Sequence, residues 1–147
     1  MAKLEKVVDK DSVLWCDRGW FPLQYGFCPN EKAWDKLLKV RNITLTGNEY
    51  ASGTAARTTS FISSEHTFSI VTVGEDETNT PLETVGLLIH EASHVLDAVI
   101  DAMNDKAPSE EFRAYSIQAI ALNLVDAYEE TRGPLMIELK SMPQQSS

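Results

Sequence analysis

The stretch "TPLETVGLLIHEASHVLDAVIDAM", residues 80–103, constrains this chain more than any other. Thr80-Pro81-Leu82-Glu83 puts a hydroxyl at the N-cap, proline at the first helical position and glutamate at N3. That is a capping box with a favourable proline, so the spacing predicts a helix over 81–103, broken by "NDKAPS". Two of the chain's three histidines, His90 and His94, lie on it four residues apart. They therefore share one face, one turn apart.

Two imidazoles so spaced can bind one Zn²⁺, with Zn–N distances of about 2.0–2.1 Å. Glu91 points about 100° round the helix from His90, an offset from which a carboxylate reaches a water beside the metal. Zinc lowers the pKa of such a water toward about 7, so hydroxide is available near neutral pH. Leu87, Leu88, Ile89, Val95 and Leu96 flank the motif and would bury the helix. Buried histidines need partners, and a metal supplies them.

A catalytic zinc takes about three protein ligands and keeps one position open. The metzincin extension needs Gly at 97 and His at 100, but Asp97 and Ile100 stand there. His66, at the start of an expected strand, is one further candidate. Glu110 and Glu111 are others: they open a second helix expected over 109–130, closed near Gly133-Pro134. They follow His94 by 16 and 17 residues, and a helical hairpin can fold the start of the second helix beside the first. Helical phase leaves the choice open. Glu110 lies with Ile117, Ala121 and Tyr128, and Glu111 with Tyr115, Gln118 and Leu122. Acidic residues also suit the first turn of any helix through its dipole.

Upstream, residues 11–28 read as an aromatic-rich loop and 30–40 as an amphipathic helix. "NITLTGN", 42–48, alternates as a short strand does. "ARTTSFISS" and "HTFSIVTVG" are rich in β-branched and aromatic residues, which predicts strands over 56–62 and 66–73 joined near Ser63–Glu65. The expected fold is α+β: a small antiparallel sheet packed against the motif helix and the long helix after it. One domain would cover 1–140, with a flexible tail over 141–147.

A net charge of −9 argues against a nucleic-acid partner, which needs clustered Lys and Arg. There is no apolar run long enough for a signal peptide or a membrane span, so a cytoplasmic location is expected. Cys16 and Cys28 make no disulfide scaffold and read as two buried thiols in a reducing compartment.

"IHEASHVL" with a glutamate on a later helix resembles the gluzincin type of zinc metallopeptidase, over about residues 85–116. In several gluzincins the third ligand opens a Glu-x-x-Ala-Asp motif. This chain has "EFRAY", so the resemblance implies Glu111 as third zinc ligand beside His90 and His94. It departs at Tyr115, where the family's aspartate supports a histidine ligand. Tyr115 would take that role through its hydroxyl, or donate to the oxyanion. Asp97, one turn beyond His94, is another supporting candidate. The resemblance further implies a compact zincin-like domain, Glu91 as general base and a peptide or protein substrate. Such a substrate would pair with an exposed strand edge, for which "HTFSIVTV" is the candidate. Arg57 and Arg113 are candidates for binding a substrate carboxylate.

More broadly, "YGFCPNEKAW", "ARTTSF", "GLLIHEASHV" and "EFRAYSIQAI" resemble small uncharacterised proteins encoded by bacteriophages and prophages. That implies a phage origin and a metallopeptidase label with no known substrate; for a phage-encoded chain the location would be the host cytoplasm, and a host protein is one candidate substrate. Two alternatives use the same zinc. One is a phage protein that blocks a host factor without catalysis, its site closed by a fourth ligand such as Asp97, His66 or Glu110. The other is a hydrolase of a non-peptide amide.

Overall fold

The computed structural model describes residues 8–135, so the expected tail at 141–147 lies outside the described residues. The elements are β1 (Leu14–Trp15), β2 (Gln24–Cys28), α1 (Glu31–Val40), β3 (Ala56–Ile62), β4 (Thr67–Val73), α2 (Pro81–Met103) and α3 (Glu110–Arg132). Mixed α and β structure is as expected, and β3 and α2 keep their expected bounds.

The sheet differs from expectation. Its order is β1-β2-β4-β3, and β2 runs parallel to β4 while the other pairs are antiparallel. A purely antiparallel sheet is therefore excluded. After β2 the chain crosses one face as α1 and returns through the β3–β4 hairpin, which brings β4 alongside β2 in the same direction. Residues 11–28 are not a loop throughout, because they supply β1 and β2. β2 escapes the alternation rule because four of its five residues are buried, on both faces. The strand expected at 42–48 is absent; Ile43 and Leu45 instead pack an irregular segment onto the core.

Alternation along the strands sends side chains to two cores. Phe27, Val71 and Val73 point to α2 and α3, where they meet Leu88, Val95, Ile120 and Leu124. Cys28, Phe68 and Ile70 point to the other face, where Trp34 and Leu37 of α1 cover them with Tyr50. The Asn30 side chain caps α1 by accepting from the Ala33 N–H at 2.8 Å.

Each helix of the α2–α3 hairpin starts on a hydroxyl cap. Thr80 and Glu83 complete the expected capping box, and Ser109 accepts from Phe112 N–H. Asn104, left-handed at φ 54°, ends α2. At the far end Arg132, its side chain only 7 % exposed, donates to the Val73 and Gly74 carbonyls and pairs with Glu77. The last turn of α3 is thus bolted to the end of β4, just before α2 begins. Among the described residues no helix is long and apolar enough to cross a membrane.

Gly74 lets the 52–55 loop close against that junction. A Cβ there would stand 2.1 Å from the Gly53 carbonyl oxygen, backbone against backbone. Gly74→Ala should destabilise the fold by about 3 kcal/mol, read from urea unfolding, because neither segment can yield without losing the Gly74 N–H bond to Ala55.

The cysteines are free, as expected. Cys16 aligns with Tyr25 across the β1–β2 ladder, so Cys28 lies three residues further, about 10 Å along the strand and beyond disulfide reach. Burial pushes both thiols up to about 12. The folded state therefore holds these protons more tightly than the unfolded state. Their contribution to stability is full below the ordinary value of 9.0 and is lost as pH climbs toward 12. Iodoacetamide at about pH 8 should label neither thiol in the folded protein and both in urea.

Candidate metal centre

α2 presents three different neighbourhoods as it turns. Leu88, Ala92, Val95 and Val99 face the core and are completely buried. Glu91 faces β3 and is 5 % exposed. His90 and His94 lie round from it on the exposed side.

A carboxylate so deeply buried needs a donor. Thr58, pointing inward from β3, supplies it: its hydroxyl donates to Glu91 Oε2 at 2.7 Å and lies 3.3 Å from the Glu91 carbonyl. No partner is found for Oε1 among the described residues. Glu91 also lines the cavities on both sides of it. One carboxylate oxygen is held and the other is free.

The histidine Nε2 atoms are 3.3 Å apart. Two nitrogens about 2.0–2.1 Å from one tetrahedral ion stand about 3.3–3.4 Å apart. Ligand atoms of His90, Glu91 and His94 all lie within 4.8 Å of one another, the one such group among the described residues. Imidazole nitrogens flanked by a carboxylate are donors that suit zinc. The residues fit the metal.

The other candidates fall elsewhere. Glu111 opens α3 and is not in the group formed by His90, Glu91 and His94. Glu110 and Glu111 are exposed, and Tyr115 is 69 % exposed. None joins the histidine pair. His66 packs on Phe68, on the opposite face of the sheet from α2. Arg57 is engaged by Glu49 at 3.2 Å, and Arg113 is exposed. Asp97 lines the same cavity as the histidines but is not in the metal-ligating group.

The strand edge beside the histidines also differs from expectation. β4 is interior, paired on both sides, and the edge strand is β3. Thr58 had no signal in the sequence beyond the inward phase of its strand. Thr58→Val should cost about 2 kcal/mol by leaving the buried carboxylate without its donor, whereas Thr58→Ser should recover most of it; equilibrium urea unfolding reads both.

No protein-family model, curated protein or solved structure matches the chain.

Proposed function

We propose that this protein is a zinc-dependent peptidase in which His90 and His94 hold the metal and Glu91 is the general base. The observation that carries this reading is the 3.3 Å Nε2 separation, the spacing of two ligands on one tetrahedral ion, with a buried glutamate beside it. An edge strand next to a helix bearing His-Glu-x-x-His also supports a zincin-like domain.

When bound, zinc supplies a Lewis acid that polarises the scissile carbonyl and acidifies a water. The chain's own residues do the rest. Glu91 accepts the water's proton at its free Oε1 while Thr58 keeps Oε2 fixed, so the base does not swing away. The same oxygen then returns the proton to the leaving amine. The free edge of β3 can pair with an extended substrate, holding the carbonyl in place through main-chain hydrogen bonds. Glu111 and Tyr115 have no part in this scheme. The open cavity beside the histidines, about 590 Å³, favours catalysis over a zinc sealed in as a structural element.

Protein purified without added metal should carry about one zinc per chain, and the His90→Ala, His94→Ala double variant should lose it, by elemental analysis. Glu111→Gln should keep it. Glu91→Gln should retain zinc and lose turnover by at least about a hundredfold. Absence of zinc from the wild type, or undiminished turnover in Glu91→Gln, would overturn the reading.

A further inference from the structure

We infer that the substrate is an extended polypeptide cut in its interior, with Lys or Arg on one defined side of the scissile bond. This rests on the peptidase reading of the His90–Glu91–His94 centre and adds the class of substrate.

Two cavities meet at that centre. One of about 590 Å³ runs toward the C-terminal half of α2, and one of about 600 Å³ toward its N-terminal end. They share Ala56, His90 and Glu91, so together they form one groove along the β3–α2 seam with the reactive groups at its middle. The seven residues of β3 span about 23 Å, room for several substrate residues in extended form. A chain lying there continues on both sides of the centre, which suits an internal bond rather than a terminal one. Glu91, 5 % exposed, lines both halves of this groove, and its Oε1 has no partner among the described residues.

The two halves differ in charge. Beyond His94 the α2 wall carries Asp97 and Asp101, one turn apart on one face. Both are exposed, and neither carboxylate has an ion pair or hydrogen bond among the described residues. The one cation on that half, Arg57, is already paired with Glu49. The opposite half is lined by Thr54, Ala55, Gly86 and Leu87 and carries a single acid, Glu83, one oxygen of which accepts from the Thr80 N–H at the helix cap. A basic side chain is therefore complemented more strongly on the Asp97–Asp101 side, and an acidic one is repelled more strongly there.

The test uses zinc-loaded Glu91→Gln protein and fluorescent Ala/Gln/Leu peptides of about twelve residues, with a single Lys or Glu walked along the sequence. Binding is read by anisotropy at low salt and at about 0.5 M salt. One or two Lys positions should tighten binding by about fivefold over the Gln parent, with the gain lost at high salt and in Asp97→Asn, Asp101→Asn protein. Wild-type enzyme should cut the same peptides internally. A flat Lys series, a preference that survives the double substitution, release of terminal residues only, or no binding of any peptide would overturn the inference. Bound Lys peptides left intact by the wild type would sink the peptidase reading and leave the charge selection standing. Internal cutting without charge preference would do the reverse.

Discussion

The hydrogen bond between Thr58 and Glu91 settles how α2 is turned against the sheet. Glu91 is a residue only 5 % exposed, and the 2.7 Å bond from the strand hydroxyl satisfies one of its oxygens only in one rotation of the helix. With Glu91 aimed at β3, helical geometry leaves no freedom for the histidines. His90 is about 100° back from it and His94 about 60° to the same side. Both therefore emerge together at the rim of the β3–α2 seam. Turning the helix by a third of a revolution would bury the imidazoles among Val71 and Leu124 and expose Leu88. The apolar stripe and the glutamate's donor favour the same rotation.

The seam is held at a distance as well. Arg132 anchors the end of α3 to the Val73 and Gly74 carbonyls, and Gly74 in turn lets the loop bearing Thr54 and Ala55 close beside it. That loop is a wall of the groove. The N-terminal half of the groove thus depends on contacts made by the last turn of another helix, remote in sequence from His90. Rigid elements on both sides, with the reactive pair on a capped helix, make a preorganised arrangement.

Local chemistry made parts of this legible in the sequence. α2 was readable because a capping box, a proline and an apolar stripe agree on one start and one phase. β3 and β4 were readable from β-branched and aromatic runs. β2 was not, because "QYGFC" is buried on both faces and carries no alternation. Residues 42–48 misled for the opposite reason: Ile43 and Leu45 alternate with polar residues, yet they cover α1 and the sheet without a partner strand. The histidine pair and Glu91 followed from spacing within one helix. Thr58 did not, since its role exists only through a contact spanning 33 residues. Glu111 shows a further limit. Helical phase gives the side a residue faces, not its depth along a helical hairpin, and Glu111 does not join the histidine pair.

Charge links the composition to the groove. The net charge of −9 argued against a polyanionic partner at the level of the whole chain. Asp97 and Asp101 apply the same logic locally, beside the histidines and without cations to neutralise them. Such a wall raises the local concentration of any cation, a metal ion as well as a basic side chain. The two effects do not compete for the same atoms. The metal is offered imidazole nitrogens on one turn of α2, and the carboxylates stand further along the helix, where the side chain of a neighbouring substrate residue would lie. On the proposed reading, a helix with ligands, base and acidic wall at successive turns would set the metal, the reaction and the substrate's charge from one element, given only that β3 lies beside it.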